Sequence, residues 1–331
     1  MPADRLTTLP EQPLAPPTDP ARVEAAVWCV LAGTPVTDAA AAAGLDPHQL
    51  AAAAETYQQA GRDALRQQTA ATCWQAYIQF TNWPAAEAIA AQHLAPALHA
   101  AEAAGTTWWI IRKHPCWRLR LHHDPHHSDA PATVTAALDV LTASGAARWW
   151  TGLYEPETFA FGGDHAMAIA HRLFHADSRA ILHHSAFEPW PLGRRELSVL
   201  LCTTMFHAAG LEWYEMGDVW QHVSHERPLP DHVPLDQLPR TVEQIRQLLL
   251  ADTEPDGPLF HHQGPAAFAA PWADAFRQAG TTLGADARAG ALDRGLRRVL
   301  AYHVIFHWNR LGIPYTAQGV LARAARDAIF G

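Results

Sequence analysis

A change of hydrophobic period limits the fold of this chain more than any other feature. Residues 74–154 contain two kinds of segment in turn. In one kind apolar and polar residues alternate, and in the other the apolar residues recur at helical spacing. The alternating segments are 74–80, 108–113, 117–122 and 148–154, and the helical ones are 84–104 and 133–143. The order β-α-β-β-α-β is that of a ferredoxin-like split βαβ sheet. The sequence therefore predicts an α+β fold built on such a sheet.

Helical periodicity dominates the rest of the chain. We expect a flexible arm at residues 1–20, which are rich in proline, and a small three-helix module at 21–68. The larger domain at 74–331 is predicted to end in a mainly helical half. Its helices are expected near 163–184, 192–226, 236–251, 265–289, 291–312 and 315–330.

Charge argues against nucleic acid as a direct partner. The chain has 24 Lys and Arg against 33 Asp and Glu, a formal net charge of −9. The N-terminal module superficially has the pattern of a helix-turn-helix, but acidic residues outnumber its arginines. We expect it to serve packing, dimerisation or peptide docking, which leaves a homodimer open.

Cysteine usage and hydropathy predict a cytoplasmic protein. The four cysteines form no CxxC pair, so we interpret them as reduced thiols. The sequence has no signal-peptide core and no run of about 18 apolar residues. We therefore expect that the protein is neither secreted nor inserted into a membrane.

Two arginines, Arg118 and Arg120, are the first candidate site residues. Alternation along a strand places both guanidinium groups on one face, where they repel each other unless an anion lies between them. One interpretation is internal pairing with Glu155 or Glu157. The other is a clamp for a substrate carboxylate and an enolate-like transition state.

Histidines at helical spacing supply further candidates. His171, His175 and Ser178 follow a Gly-Gly turn beside an apolar stripe, and either line a cleft or are satisfied core residues. His303 and His307 share a helix face, and a histidine near paired arginines can transfer a proton. The alternative is a buried histidine bonded to backbone.

Motifs for metals and cofactors are missing from the sequence. The pairs HRLFH and HVIFH have zinc-compatible spacing but lack the Glu of HExxH and a third ligand, so no metal is predicted. There is no GxGxxG, Walker A or GxSxG motif, which argues against nucleotide binding and serine hydrolase chemistry.

Three stretches carry a family resemblance. They are YEPETFAFGG with the following MAIAHRLFHADSRAIL, WWIIRKHPCWRLRL at 108–121, and HVIFHWNRLG at 303–312. Together they resemble the C-terminal, or small, domain of lantibiotic dehydratases, which also occurs as a free-standing protein in thiopeptide and lanthipeptide clusters. The resemblance runs from about residue 74 to the end of the chain.

The resemblance implies a reaction on a ribosomal precursor peptide that carries a leader. A large partner subunit would use glutamyl-tRNA to esterify Ser or Thr, and this protein would remove the α-proton and expel glutamate. It assigns anion binding to Arg118 and Arg120 and proton transfer to His307 or His303. It requires no organic cofactor.

One position departs from the family pattern. The family often has Arg before its aromatic-Gly-Gly turn, where this chain has Ala160. One anion contact is therefore either missing or supplied by Arg112, Lys113 or Arg179. The remaining candidates for substrate contact are Tyr154, Glu155, His171, His175, Ser178, Asn309 and Arg310.

Two rival functions stay open, the first because of this departure and the second because of the N-terminal helical module. One is a pyridine synthase that joins two dehydroalanines in a formal [4+2] cycloaddition and then loses water and the leader peptide. The other is a non-catalytic partner that binds leader peptide and supports a large dehydratase.

Overall fold

The structure, a computed structural model, describes residues 19–71, 73–123, 129–185, 190–231, 233 and 238–331; for 63–71 it describes the backbone alone. Most of the expected N-terminal arm, residues 1–18, lies outside the described residues. The chain divides into two compact units, Met1–Ala71 and Thr72–Gly331.

The N-terminal unit contains three helices, as predicted: α1 (Pro20–Leu31), α2 (Val36–Ala43) and α3 (Pro47–Ala71). The Asp19 carboxylate accepts from the Ala21 N–H at 3.1 Å and caps α1, whose first residue is a proline. A small core holds the helices together and contains Ala26, Val27, Ala39, Ala40, Leu50 and Ala54.

The second unit begins with a four-stranded antiparallel sheet. Its strands are β1 (Cys73–Phe80), β2 (Thr107–Lys113), β3 (Cys116–His122) and β4 (Ala147–Gly152), in the order β2-β3-β1-β4. Between them lie α4 (Ala86–Ile89), a π-helical turn (Ala90–Leu94), α5 (Ala95–Ala103) and α6 (Ala130–Ala143). The predicted ferredoxin-like arrangement is confirmed.

The two faces of this sheet have different chemistry. Ile78, Trp108 and Leu119 belong to the buried core that one face forms with α5 and α6. The opposite face carries polar and aromatic residues, because the strands alternate. Register places Gln75 and Trp109 beside Arg120 on that face. The sheet therefore presents Arg118 and Arg120 away from the ferredoxin-like helices.

The mainly helical C-terminal half is also confirmed. Its helices are α7 (Asp164–Ser185), α8 (Arg194–Ala208), α9 (Trp213–Glu226), α10 (Leu238–Leu249), α11 (Ala270–Arg288), α12 (Leu296–Leu311) and α13 (Tyr315–Phe330). None of the described helices combines the length and the apolar character that a membrane span requires. All four cysteines are free thiols.

A tight turn fixes the start of α7. Gly162 and Gly163 have φ of 91° and 106°, values that favour glycine. A Cβ at Gly163 would lie 2.5 Å from the Asp293 carboxylate, and the Asp293 N–H donates to the Gly162 carbonyl at 3.0 Å. The turn therefore ties α7 to the loop before α12.

Several predicted boundaries were wrong. The single helix expected at 192–226 is two helices, because Gly210 turns at φ 83° and Glu212 opens α9 with a capping box. The helix expected at 84–104 begins at Ala86 and widens into the π-helical turn before Pro96, which has no N–H to donate.

Three more expected elements are shorter than predicted. The strand expected at 148–154 is β4, which ends at Gly152. The helix expected at 265–289 starts as a short 3₁₀ turn (Ala267–Ala269) before α11. The helix expected at 291–312 is α12, which begins only at Leu296.

Candidate active site

Arg120 lies at the buried end of the polar sheet face. It is 3% exposed, its Nε donates to Gln75 Oε1 at 2.8 Å, and its guanidinium lies 4.2 Å from the Tyr154 ring centroid. Among the described residues its Nη1 has no hydrogen-bond partner. Burial lowers the pKa of Arg120, and the neighbouring Tyr154 and Glu157 oppose that shift. A buried cation with an unpartnered N–H can donate a charge-assisted hydrogen bond to an anion.

A phenol and an imidazole extend this end of the face. Tyr154 Oη lies 2.7 Å from His171 Nε2, and the His171 ring stacks on Trp109 at 4.6 Å. Burial, followed by the charge of Arg120, lowers the pKa of His171 to about 4. Burial also raises the pKa of Tyr154. At neutral pH both groups are therefore uncharged, with the phenol donating to the imidazole.

A second polar group joins α7 to α12 and α11. Asp177 accepts from His307 Nδ1 at 2.9 Å, from Arg310 Nε at 2.6 Å and from the Trp272 indole at 2.9 Å. Asp177, His307 and Arg310 are fully buried. Burial by itself raises the pKa of Asp177, but His307 and Arg310 outweigh it and hold that pKa below its usual value. The carboxylate is therefore charged in the core.

The bonds to Asp177 leave specific nitrogens unused. With Nδ1 donating to Asp177, His307 keeps a lone pair on Nε2, which has no partner among the described residues. Both terminal nitrogens of Arg310 are likewise unpartnered within the described chain. This group therefore offers one potential base and two N–H donors.

The two buried arginines lie on one aromatic cluster. The cluster consists of Trp109, Tyr154, Phe161, Met167, Ala170 and Phe174. Arg120 lies over Tyr154, and Arg310 lies over Phe174 at 4.1 Å. Burial lowers the pKa of Arg310, Asp177 opposes the shift, and the charge of Arg120 adds to it. The two guanidinium groups therefore lie against rings of the same cluster.

His303 borders the same aromatic cluster. Its ring meets Phe161 edge-on at 4.9 Å, and neither ring nitrogen has a hydrogen-bond partner among the described residues. Burial, followed by the charge of Arg310, lowers the pKa of His303 to about 3, with Asp177 opposing. His303 is therefore a neutral imidazole. Ala160, which replaces the arginine of the family pattern, packs partly buried against this cluster.

Arg118 lies two residues along β3, at the more open part of the face. It is half-buried, and its guanidinium lies 5.4 Å from the Tyr77 ring centroid. Arg118 and Arg120 share the polar face, as their alternation predicted. They differ in burial, however, and only Arg120 lies on the aromatic cluster.

Two of the predicted α7 residues bond to the backbone of β2. His175 Nδ1 lies 2.8 Å from the Trp108 carbonyl and 3.3 Å from the Trp108 N–H. Ser178 Oγ accepts from the Ile110 N–H at 3.1 Å. These side chains bond to backbone groups at the β2 edge that a neighbouring strand would otherwise bind. Their role in this geometry is therefore structural.

The cations expected to replace the missing arginine lie elsewhere. Arg112 pairs with Glu87 at 2.5 Å and lies over Trp117, on the sheet face opposite to Arg120. Lys113 is exposed at the β2–β3 hairpin. Arg179 is largely exposed and lies 3.4 Å from Glu102.

Two further predicted contacts also lie outside this arrangement. Glu155 is exposed in the segment after β4. Asn309 accepts from Gln318 Nε2 at 3.1 Å and so joins α12 to α13. The arrangement around Arg120 and Asp177 therefore retains Arg118, Arg120, Tyr154, His171, His303, His307 and Arg310 from the predicted set.

Sequence reasoning missed Asp177, Gln75 and Trp272. A signal for Asp177 was present: it falls on the buried stripe of α7, with Phe174 and Ile181 three and four residues away. A carboxylate in an apolar stripe requires a buried partner. Gln75 and Trp272 carried no comparable signal.

Two open grooves lie apart from Arg120. One, of about 630 Å³, lies between α10 and α13 and includes Ile245 and Val320. The other, of about 600 Å³, lies between α5 and α7 and reaches Trp272. Neither is lined by the arginines on β3. In the described part of the chain, no three His, Cys, Asp or Glu side chains gather as metal ligands.

A ferredoxin-like sheet whose polar face meets a helical layer defines the class of this protein. The family described as lantibiotic biosynthesis dehydratase C-term matches residues 74–329, and the chain belongs to that family. The resemblance carried by the three sequence motifs is thereby confirmed. A search of curated proteins finds no match.

Three solved structures share the fold. They are the tRNA dependent lantibiotic dehydratase MibB from Microbispora sp. 107891, at TM-score 0.60 and 17% identity, TsrL, at 0.54 and 16%, and the pyridine synthase TbtD from thiomuracin biosynthesis, at 0.52 and 14%. Each similarity covers 78% of this chain. It spans 28% of MibB, 98% of TsrL and 97% of TbtD.

These similarities show the fold of the chain. At such identities the structures establish the fold alone, and the chain spans little more than a quarter of MibB. The family model places the chain with the C-terminal domains of lantibiotic biosynthesis dehydratases, and its fold also occurs in the pyridine synthase TbtD.

Proposed function

We propose that this protein eliminates glutamate from glutamylated Ser or Thr residues of a ribosomal precursor peptide, leaving dehydroalanine or dehydrobutyrine. The observation that carries the proposal is the pair of buried arginines, Arg120 and Arg310, whose spare guanidinium nitrogens have no partner among the described residues. Two like charges on one aromatic cluster are stabilised when an anion lies between them. Glutamate, which carries carboxylates, has the required charge.

The proton acceptor in this proposal is His307. A base takes the Cα proton, the electrons of the C–H bond form the new Cα–Cβ double bond, and the Cβ–O bond breaks with its electron pair on the glutamate carboxylate. The Nε2 lone pair of His307 can accept the Cα proton, because the hydrogen bond to Asp177 holds the imidazole proton on Nδ1. Asp177 also stabilises the imidazolium that forms.

The anions in this reaction are assigned to the arginines. Enolate character develops on the peptide carbonyl as the proton leaves. Its donors are assigned to β3, with Arg118 at the open part of the face and Arg120 at the buried end. Arg310 and Arg120 receive the departing carboxylate in a buried setting where charge-assisted bonds are strong. Tyr154 and His171 supply neutral hydrogen-bonding groups beside them.

The proposed partners follow from the same reaction. A large glutamylating subunit would deliver the ester, and the precursor peptide would carry a leader that directs it. The proposal also includes a homodimer of this chain.

The test is a single-turnover assay on a synthetic peptide that contains one O-glutamyl serine. We expect free glutamate and dehydroalanine to appear in equal amounts. His307→Gln should lower the rate by at least about a hundredfold. His165→Gln is the matched control, since His165 is exposed and pairs with Asp286. Ester hydrolysis to serine without dehydroalanine would reject elimination.

Pyridine synthesis is the second candidate, and two observations favour it. Ala160 borders the aromatic cluster where the family pattern has arginine, so one cation is missing. The similarity also spans nearly the whole length of the pyridine synthase TbtD. A peptide with two dehydroalanines is the test substrate. Conversion to a pyridine with release of leader would support this candidate, and no conversion of either peptide would favour a non-catalytic leader-binding partner.

A further inference from the structure

The two edges of the sheet are treated differently. The strand order leaves β2 and β4 at the edges. Helix α7 covers the β2 edge, where His175 and Ser178 bond to strand backbone. On β4, Trp150, Thr151 and Gly152 are exposed. Within the described residues, no backbone hydrogen bond other than the pairing with β1 is made by β4.

The sequence of β4 does not protect this edge. Natural edge strands are usually blunted by lysine, proline, a bulge or a covering element. The strand reads ARWWTG, without lysine or proline, and it pairs with β1 through six consecutive residues without a bulge. An exposed, regular edge with two tryptophans is a template for another strand.

The sheet face beside the β4 edge is aromatic and positive. Trp150 is 43% exposed and stacks on Tyr77, with ring centroids 5.6 Å apart and planes at 10°. Arg148 and Arg118 lie over these rings at 5.9 and 5.4 Å. On a chain of net charge −9, two arginines together form a local attraction for acidic side chains.

We propose that β4 binds an extended, acidic segment of the peptide substrate as a fifth strand. The inference rests on the proposed function in naming that substrate. A strand beside β4 would lie three strand spacings from β3, or about 14 Å. About five extended residues cover that distance. The docked segment and the reacting Ser or Thr are therefore separated by roughly that many residues.

Charge and geometry favour a peptide over other occupants. A nucleic acid has no backbone amides to pair with a strand edge, and the net charge repels it. A second copy of this chain would pair β4 with β4. The strand ARWWTG contains no acidic residue, so a second β4 would offer no opposite charge to Arg148 and Arg118, which disfavours it.

Hydrogen–deuterium exchange of residues 147–152 tests the proposal. The probe is a fluorescein-labelled peptide of alternating Glu and Val, and its matched control carries N-methyl groups on alternate amides. We expect the probe to bind and to slow exchange in β4. The N-methylated peptide should bind at least about tenfold more weakly, since it cannot complete the strand pairing.

Two surface variants sharpen the result. Trp150→Ala and Arg148→Ala should each weaken probe binding about threefold to fivefold. Tyr214→Ala is the matched control, because Tyr214 is also an exposed ring in a stacked pair, with Phe330. It should leave binding unchanged.

Three results would overturn the docking proposal. The first is failure of the probe to bind, and the second is slowed hydrogen exchange only at residues outside β4. The third is hydrogen exchange in β4 that slows with rising protein concentration when no peptide is present, which would identify a second copy as the occupant. Glutamate release from a glutamylated peptide too short to reach β4 is measured in parallel. Release without docking would reject the docking alone, and docking without release would reject the elimination alone.

Discussion

Asp177 on α7 and His307 on α12 are joined by a hydrogen bond of 2.9 Å between two fully buried side chains. The same carboxylate binds Arg310 at 2.6 Å. This bond fixes which nitrogen of His307 is free, and it supplies the negative charge that keeps Arg310 in the core. The proposed chemistry therefore depends on a residue that would not touch the substrate.

Replacing Asp177 should destabilise the protein at neutral pH. Asp177→Asn removes the charge that balances Arg310, and we expect the free energy of unfolding to fall by about 3–5 kcal/mol. Chemical denaturation at pH 7 measures this. Asp218→Asn is the control, because Asp218 forms an exposed pair with Arg297. Equal losses in the two variants would contradict a buried charged Asp177.

The Asp177 carboxylate should also affect how the free energy of unfolding depends on pH in acid. Its pKa in the folded protein is below the usual value, so its contribution is present above about pH 4, the ordinary pKa of an unfolded Asp. The contribution is lost as the pH falls further, because the unfolded chain binds a proton first. The wild-type protein should therefore lose stability below about pH 4 more steeply than Asp177→Asn.

His171 should remain neutral well below the usual range of histidine. Its folded pKa of about 4 lies below the unfolded value, so its contribution to stability is present above about pH 6.5 and decreases as the pH falls. Histidine NMR signals recorded from pH 8 to about pH 5.5 measure this directly. We expect no shift for His171, whose assignment comes from the His171→Gln spectrum. A midpoint near pH 6.5 would contradict its burial beside Arg120.

Arg120→Ala should raise the activation free energy of elimination by about 3 kcal/mol or more. The reason is that Arg120 is the buried donor for the developing negative charge. Single-turnover rates on the glutamylated peptide measure this, with thermal unfolding as a check on folding. Arg179→Ala is the control, since Arg179 is largely exposed. An unchanged rate in a folded Arg120→Ala variant would assign Arg120 to packing.

Deleting residues 1–68 should spare the fold of the remainder, because the chain divides into compact units near residue 71. The deletion should weaken peptide binding or self-association. Circular dichroism and sedimentation, compared between the full chain and residues 69–331, measure both effects. Collapse of the truncated protein would show that the first unit belongs to the core of the second.

Local pattern predicted much of the fold and only part of the site. Alternation put Arg118 and Arg120 on one face, and periodicity located most helices. Local pattern could not predict that α7 covers the edge of β2, because that contact joins residues about 70 positions apart in sequence. The role of Asp177 was hidden for the same reason, since its partners come from α11 and α12.

Arg112 shows the limit of motif reasoning. Ala160 in place of the family's arginine led to an expected anion contact from Arg112, yet Arg112 pairs with Glu87 on the other side of the sheet. Likewise, one positive-φ glycine, Gly210, divided a predicted helix that periodicity alone joined.

The most direct test of the elimination proposal compares two non-reactive peptides by calorimetry. One carries an amide mimic of glutamylated serine, and the other lacks the glutamyl group. If Arg120 and Arg310 bind the glutamyl carboxylate, truncation should weaken binding by about 1.5–3 kcal/mol, the scale of a charge-assisted contact. Equal binding of the two peptides, together with conversion of a bis-dehydroalanine peptide to a pyridine, would contradict elimination and support the cyclase instead.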